Sequence, residues 1–338
     1  MIAATSFKIL QGPMSMSSAF PPVIHLLAPS SVPADLGVAR RGVRRLQQLG
    51  CEVRHAGVLE RTMQRFAGSD VERAADINQL ATLAELPDLA LAVRGGYGAS
   101  RLLAMLDYPA LAERLRAQCL PLVGYSDFTA LQMALYSQAG LITLGGPMLT
   151  DFGAATPSIF SWERFWAALS QAQPELAWRP VSQPVAGLDL DGPLWGGNLA
   201  MLCSLLGTPY FPAIEDGLLF LEDVGEAPYR IERLLYQLLW SGVLDRQQAV
   251  ILGDFTDCSG GPRDLGYGLS DALAQFRRHC PIPVIDGLPF GHDRDKATLP
   301  FGAPGHLWTA GDQVCLSFHG HPRLTRPFAP PLPSADPA

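Results

Sequence analysis

The feature that most constrains the fold is a regular alternation of strand-like and helix-like segments in the first half of the chain. Short apolar runs such as VIHLL and LALAV are each followed by a turn and then by apolar residues at helical spacing. Strands that alternate with helices in this way form a parallel sheet covered by helices on both faces. The pattern therefore predicts a first α/β domain that ends near residue 168.

The remaining segments predict the rest of the domain organisation. Residues 169–187 have little periodicity and contain three prolines, as expected of a linker. A second domain follows over residues 188–325. The first twenty residues have no apolar block of signal-peptide length and are predicted to be a loose extension. Residues 326–338 are rich in proline, have little to bury and are predicted to be disordered.

Composition limits the class of protein. With 338 residues, 48% of them hydrophobic and 17% charged, the chain can form two domains with real cores. A net charge of −7 argues against a nucleic-acid-binding surface. The least charged region, residues 117–150, is interrupted by polar residues and a Gly-Gly-Pro turn, so no transmembrane helix is predicted.

The cysteines indicate the compartment. Six cysteines are scattered along the chain without C-x-x-C pairs or zinc-finger spacing. This usage favours free thiols in a reducing environment, and we expect a cytoplasmic protein.

One serine stands where an α/β sheet would present a nucleophile. In LPLVGYSDFTALQMALY, residues 120–136, Ser126 lies on a sharp turn between a strand and a helix. Side chains at such turns face the crevice in which open α/β sheets bind ligands. The segment alone leaves a second interpretation open, in which Ser126 or Asp127 caps the helix by accepting a backbone N–H bond.

Two further segments carry candidate partners for that serine. In GLLFLEDVGEAPYRIERLL, Glu222 ends an apolar strand, whereas Glu226 fits a solvated acidic turn before the helix that begins at Pro228. In IPVIDGLPFGHDRDKATLPFG, His292 lies in a Gly/Pro-rich loop where it is accessible. The histidine pair in SFHGHP has no acidic or cysteine partner nearby, so it is weak evidence for a metal site.

The loop AVRGGYGASRLL is the remaining functional candidate. Its glycines could cradle a phosphate, but the loop matches neither G-x-G-x-x-G nor the Walker A lysine pattern. Glycines also allow backbone N–H groups to approach a substrate closely, as an oxyanion hole requires. The second use fits better with a serine one strand further along the chain.

Six segments together resemble the LD-carboxypeptidase family of serine peptidases, which includes the murein tetrapeptide carboxypeptidases and the microcin C immunity peptidases. The segments are LLAPSS, VRGGYGASRLL, LVGYSDFTALQ, GPLWGGNLAMLCSLLGTPY, LFLEDVGEAPYRIERLL and DGLPFGHDRDKATLPFG, spread over roughly residues 22 to 322. The resemblance implies a Rossmann-like N-terminal domain with a parallel sheet, a β-rich α+β C-terminal domain and a homodimer.

The resemblance also implies a catalytic triad. Its nucleophile falls on Ser126 of the G-x-S-D turn, its carboxylate on Glu222 and its histidine on His292. The oxyanion hole would consist of the amide of Asp127 and one in the glycine loop, for which we expect Gly96. Neither a metal nor an organic cofactor is implied.

The implied substrate is a cytoplasmic muropeptide, cleaved between meso-diaminopimelate and a terminal D-Ala in peptidoglycan recycling. The terminal carboxylate of such a substrate needs a cation, and Arg94 and Arg230 each lie beside a catalytic motif. Gly95 and Tyr97 of the glycine loop are expected to bind substrate as well.

Two other functions stay open at the level of sequence. A sister peptidase acting on peptidyl-nucleotides or acyl-sulfamoyl adenylates would use the same triad with a different leaving group. A non-catalytic muropeptide-binding protein would keep the fold and lose the reaction.

Overall fold

The computed structural model of the chain describes residues 21–182 and 185–333. The predicted loose extension, residues 1–20, lies outside this part of the chain. No helix in the described ranges is both long and apolar enough to cross a membrane. All six cysteines are free thiols, and four of them are buried.

The first half of the chain forms a parallel sheet flanked by helices. Its elements are, in chain order, β1 (Val23–Leu27), α1 (Leu36–Gln48), β2 (Glu52–Arg54), α2 (Asp70–Asn78), β3 (Leu89–Ala92), α3 (Tyr108–Gln118), β4 (Leu122–Val123), α4 (Thr129–Ala139), β5 (Thr143–Gly145), α5 (Leu149–Phe152) and α6 (Ile159–Ser170). The five strands are all parallel and lie in the order β5-β4-β3-β1-β2. The predicted α/β domain with a parallel sheet is confirmed.

Local sequence explains most of these elements. The central strands are almost wholly apolar and buried, as strands covered on both faces must be. Helix α2 begins at a capping box formed by Ser69 and Glu72. One predicted helix is wrong: the residues directly after the glycine loop form two short 3₁₀ turns, Ala99–Arg101 and Leu103–Met105, before α3 begins.

The second half is built on a larger mixed sheet. Its elements are β6 (Glu175–Trp178), β7 (Asp189–Asn198), α7 (Leu199–Ser204), β8 (Gly217–Val224), α8 (Pro228–Trp240), β9 (Gln247–Thr256), α9 (Leu269–His279), β10 (Val284–Ile285), β11 (Leu299–Phe301), β12 (Ala303–Ala310) and β13 (Gln313–Phe318). The strand order is β10-β9-β8-β7-β12-β13-β6. Strands β10 to β7 are parallel, and the pairs from β7 to β6 are antiparallel. The expected β-rich α+β architecture is confirmed.

The two halves of the chain are joined through one strand and one helix. Strand β11, from the second half of the chain, pairs antiparallel with β5 and becomes the sixth strand of the first sheet. Helix α4 is buried along most of its length and contacts α3 on one side and α7 of the second half on the other. A single hydrophobic cluster therefore includes residues of both halves, and α4 holds its amino end between the two sheets.

Two boundaries differ from the predicted ones. The segment predicted as a linker, residues 169–187, contains strand β6, whose alternating burial adds an edge to the second sheet. The tail predicted to be disordered, residues 326–338, is anchored in its described part, because Phe328 is buried against Trp166 and exchanges hydrogen bonds with Ser170. One aromatic residue among prolines is enough to dock this segment on the first half of the chain.

Candidate active site

Ser126 occupies the sharp turn between β4 and α4. The turn closes tightly because Gly124 has no side chain: a Cβ there would lie 2.6 Å from the ring of Phe128. Ser126 itself has a φ of 64°, in the left-handed region that non-glycine residues seldom adopt. Its hydroxyl makes no capping bond to the following helix, so the capping interpretation is not realised for this serine.

The Ser126 hydroxyl instead meets His292. The Oγ of Ser126 lies 2.9 Å from Nε2 of His292, and Nδ1 of His292 lies 2.6 Å from Oε2 of Glu222. A carboxylate can only accept a hydrogen bond, so Nδ1 carries the proton and Nε2 is free to accept one from the serine. The structure brings together the serine, histidine and glutamate predicted from sequence, although they come from three separate segments.

Glu222 is held inside the second sheet, near the end of β8, and is fully buried. Its second oxygen accepts a hydrogen bond from the side-chain amide of Asn198. Asn198 stands opposite Glu222 in the register of β7 and β8, and its own oxygen caps α7. The contact between Asn198 and Glu222 could not be predicted from the sequence, because it depends on the pairing of two strands.

Asp127 connects the serine turn to two neighbouring loops. Its Oδ2 accepts hydrogen bonds from the hydroxyl of Ser30 at 2.6 Å and from the amide of Ala99 at 2.9 Å. Oδ1 is buried without a hydrogen-bond partner, and burial raises the pKa of this carboxyl. The fully buried guanidinium of Arg73 binds the carbonyls of Pro29 and Gly98, so it joins the same two loops from the other side.

The glycine loop lies directly against the serine. A Cβ on Gly95 would lie 2.8 Å from both Cβ and Oγ of Ser126, and one on Gly96, where φ is 102°, would lie 2.6 Å from the hydroxyl of Ser31. Ser31 holds the loop through its bond to the carbonyl of Gly95 and through its hydroxyl at the amide of Tyr97. Tyr97 is 42% exposed, and its ring packs against Phe66.

A cleft of about 260 Å³ opens over the serine. Its lining includes Asp35, Arg94, Gly95, Gly96, Ser126 and His292. Arg94 donates to the carbonyl of Val32, and within the described residues no carboxylate pairs with it. Burial lowers the pKa of its guanidinium.

Arg230 and Tyr97 do not line this cleft in the part of the chain that is described. Arg230 lies on the first turn of α8, half exposed, with Nη1 3.4 Å from Glu226. Of the two arginines expected to bind a terminal carboxylate, Arg94 is therefore the one that faces Ser126.

A second cleft, of about 230 Å³, adjoins the first. His292 and Thr150 belong to the lining of both. Asp151, Arg294 and Lys296 line the second cleft and do not belong to the lining of the first. None of these three charged residues was nominated from the sequence.

Two other carboxyl groups near Glu222 have perturbed pKa values. Burial, followed by the neighbouring carboxylates of Asp293 and Glu222, raises the pKa of Asp254 to about 7. Asp254 packs beneath the histidine loop, where Gly291 leaves room for it. Burial also raises the pKa of Asp223, beside Glu222, to about 6.

The geometry offers few features of a metal site. Among the described residues, no group of three or more His, Cys, Asp or Glu side chains is arranged to hold a metal ion. Of the two histidines in SFHGHP, His321 is buried and bonds to the carbonyl of Ala168.

A serine, a histidine and a buried carboxylate linked in this order, at the amino end of a helix in an α/β fold, define the class of the serine hydrolases. Comparison with known proteins narrows the class. The family model of the LD-carboxypeptidase N-terminal domain matches residues 24–146, and that of the LD-carboxypeptidase C-terminal domain matches residues 191–307.

Individual relatives agree with the family models. The murein tetrapeptide carboxypeptidase of Pseudomonas aeruginosa is 31% identical over 82% of this chain and 91% of its own length. The microcin C7 self-immunity protein of Escherichia coli is 30% identical over 81% of this chain and 87% of its own. The crystal structure of muramoyltetrapeptide carboxypeptidase from Oxalobacter formigenes superposes with a TM-score of 0.79 and 37% identity, covering 88% of this chain and 99% of that one.

The chain belongs to the LD-carboxypeptidase family, and it is a serine carboxypeptidase.

Proposed function

We propose that the protein releases the terminal D-Ala from a murein tetrapeptide by cleaving the bond after meso-diaminopimelate. The observation that carries the proposal is the continuous hydrogen-bond chain from Ser126 through His292 to Glu222, at the floor of a cleft that also contains Arg94. Relatives named for murein tetrapeptide and muramoyltetrapeptide support the same substrate class.

The reaction begins with a proton transfer. His292 takes the proton of Ser126 at Nε2 while the serine oxygen attacks the scissile carbonyl. The buried carboxylate of Glu222 accepts the Nδ1 proton in a hydrogen bond, keeps the imidazole in the useful tautomer and stabilises its cation. His292 then donates its proton to the amine of the leaving D-Ala. Water hydrolyses the acyl-enzyme with His292 acting as the base.

Stabilisation of the tetrahedral intermediate falls to backbone amides. The amide of Asp127 belongs to the first helical turn, where N–H groups have no partner inside the helix. The amide of Gly96 lies in the loop that packs against Ser126. Two such donors stabilise the negatively charged oxyanion more strongly than they stabilise the uncharged carbonyl of the bound substrate, so they lower the barrier to the reaction.

The free carboxylate of the terminal residue is assigned to Arg94. Its guanidinium lines the cleft that holds Ser126 and has no carboxylate of its own within the described ranges. A planar guanidinium can hold a carboxylate through two parallel hydrogen bonds and so orient it.

The biological setting follows from the same proposal. We assign the protein to the cytoplasm and to peptidoglycan recycling, acting as a homodimer without nucleic-acid or membrane partners. The net charge of −7 and six free cysteines support this setting.

The decisive experiment is incubation of the purified protein with the tetrapeptide that ends in D-Ala, with detection of free D-Ala. Parallel arms use the L-Ala and the terminally amidated tetrapeptides and an aminoacyl-sulfamoyl nucleotide. Release of D-Ala from the first substrate alone supports the proposal. Cleavage of the nucleotide conjugate alone would instead assign the protein the activity of a microcin C immunity peptidase.

A serine-directed phosphonate probe covers the remaining alternative. Labelling that requires Ser126 is expected of the enzyme. Failure to label, together with tight binding of the tetrapeptide, would identify a non-catalytic binding protein.

A further inference from the structure

The second cleft contains a lysine, which is a rare residue in this chain. The sequence contains only two lysines, Lys8 and Lys296, and all its other cationic side chains apart from histidine are arginines. Lys296 is the only lysine in the described part of the chain, and it lines the cleft that begins at His292. Its side chain is only 4% exposed, so its charge is directed toward this interior surface rather than toward bulk water.

Lys296 lies next to a carboxylate. Its Nζ is 3.0 Å from Oδ1 of Asp151 and 5.3 Å from the centre of the Tyr125 ring. The other oxygen of Asp151 accepts the backbone amide of Met148. An ammonium has three donors and a carboxylate about four acceptor positions, so this contact leaves capacity on both groups.

The nearly buried ion pair between Lys296 and Asp151 is not explained by a contribution to stability. Removing two charges from water costs more free energy than their attraction commonly returns, and well-packed apolar residues would serve stability as well or better. In the wall of a cleft that meets the catalytic histidine, a fixed positive charge beside a fixed negative charge is the complement of a ligand that carries both.

We propose that the second cleft binds a zwitterionic amino-acid head group, a single carbon bearing an ammonium and a carboxylate, at the end of the side chain that precedes the scissile bond. The carboxylate of the head group binds Lys296 and its ammonium binds Asp151. This inference rests on the proposed function and deepens it, because meso-diaminopimelate ends its side chain in such a group.

The position of the clefts supports this assignment. The first cleft contains Ser126 and Arg94, and it takes the terminal residue with its carboxylate. The second shares His292 and Thr150 with the first, and Ser126 does not belong to its lining. The side chain of the residue that donates its acyl group to Ser126 can therefore enter the second cleft while the terminal residue stays beside Arg94.

Arg294 adds a second positive charge to the cleft. Its backbone amide bonds to Asp293, whereas its guanidinium is exposed and has no carboxylate partner in the described ranges. Arg294 can attract the distal carboxylate, which is the one at the end of the diaminopimelate side chain. The enclosed Lys296 then distinguishes a charged group from an uncharged one at this position, since a charge shielded from water interacts more strongly than an exposed one.

The test compares two tetrapeptides that differ only in the distal carboxylate of diaminopimelate, one free and one amidated. For the unmodified protein we expect kcat/KM to fall by about 10-fold on amidation, the loss expected for one hydrogen bond to a charged group. In Lys296→Met the two substrates should be cleaved at nearly equal kcat/KM. Equal loss on both substrates in Lys296→Met would overturn the proposal, because it would indicate a general effect on the site.

The matched control is Arg277→Met, which breaks a similarly enclosed ion pair, with Asp286, away from both clefts. The preference for the free carboxylate should be unchanged in that variant. If the unmodified protein releases D-Ala from neither substrate, the proposed function itself fails. If it cleaves both equally well, only this inference fails.

A binding measurement avoids any dependence on turnover and on the folding of a variant at Lys296. Protein carrying Ser126→Ala and lysine labelled with ¹³C at Cε should give separate signals for its two lysines. Addition of the free-carboxylate tetrapeptide should shift the Lys296 signal, and the amidated peptide should leave it in position. A shift of the same size with both peptides, or with neither, contradicts the assignment.

Discussion

Gly95 packs so closely against Ser126 that a methyl group cannot be accommodated between them: a Cβ on Gly95 would lie 2.8 Å from the serine Oγ. Real Cβ atoms are not found at such distances from neighbouring heavy atoms. The glycine loop and the serine turn therefore form one surface, and the position of either depends on the other.

Gly95→Ala should accordingly damage the reaction while leaving the fold intact. The new methyl group must displace Ser126 or the loop, and a displacement of about 1 Å can cost roughly 10²-fold in rate. We expect kcat/KM to fall by about that factor with little change in the far-ultraviolet circular dichroism. Gly57→Ala is the matched control, because nothing lies within 4 Å of its Cβ position. Wild-type kinetics in Gly95→Ala would show that the loop does not contact the reacting atoms.

Alanine substitutions of Ser126, His292 and Glu222 should act as one unit. Loss of the serine or the histidine is expected to reduce kcat by about 10⁴-fold to 10⁶-fold, with a smaller loss for the glutamate and little further loss in the double variants. His306→Ala is the control, since that histidine also contacts two aspartates but lies outside the site. Losses that multiply in the double variants would contradict a shared mechanism.

Asp127→Asn should lower kcat and leave KM nearly unchanged. Asp127 fixes the positions of Ser30 and Ala99 through Oδ2 alone. An amide oxygen in that place would leave the new NH2 group at the buried Oδ1 position, which has no hydrogen-bond partner, and it is a weaker acceptor than a carboxylate. The glycine loop should shift, at a cost of up to about 10²-fold in kcat. Asp286→Asn provides a close control, because Asp286 likewise accepts a serine hydroxyl and a backbone amide, but in another part of the fold. Equal effects of the two substitutions on kcat would mean that Asp127 matters only for stability.

One pair of variants can show which of the two arginines nominated from sequence binds the terminal carboxylate of the substrate. Arg94→Met should reduce kcat/KM for the tetrapeptide with a free terminal carboxylate on the order of 10²-fold, since a partly buried charge pair is lost. The amidated substrate, which has no such charge, should be affected much less. Arg230→Met should behave like the unmodified protein because Arg230 pairs with Glu226 outside the cleft. The reverse result would transfer the carboxylate site to Arg230.

Asp254 should make stability fall as the pH rises. Its pKa is raised from 3.8 to about 7, so between these values the folded protein keeps a proton that the unfolded chain has lost. The native state binds more protons there, and its stability must decrease as the pH increases, levelling off above about 7. Between about pH 5 and pH 8, the melting temperature of Asp254→Asn should fall less than that of the unmodified protein. Asp223 is present in the unmodified protein and in Asp254→Asn, so the difference between their changes in melting temperature is due to Asp254. Parallel melting curves at both pH values would mean that the Asp254 carboxyl titrates normally.

Much of the fold could be predicted because its signals are local. The alternation of apolar runs and helical periodicity in the first half identified the parallel sheet, since each strand and helix carries its own pattern. The turn at Ser126 was equally local, with Gly124 before it and an apolar helix after it. The segment at Phe328 was mispredicted because its burial depends on Trp166, far away in the chain.

The candidate site also has a part that local sequence predicts and a part that it does not. Ser126, Glu222 and His292 could each be nominated from a strand end or a loop, and six motifs in one order identified the family to which they belong. Their distances of 2.9 and 2.6 Å could not be predicted, because they depend on how two sheets are joined through β11 and α4.

The sequence by itself determined which chemical groups this protein has and on which local elements they stand, because periodicity, turns and caps act between neighbours in the chain. Only the tertiary structure decided which groups meet. Asn198 bonds to Glu222 through the register of two strands, Asp127 joins Ser30 to Ala99, and Lys296 pairs with Asp151 across 145 residues. Such contacts depend on packing between distant segments, and a pattern along the chain does not encode them locally.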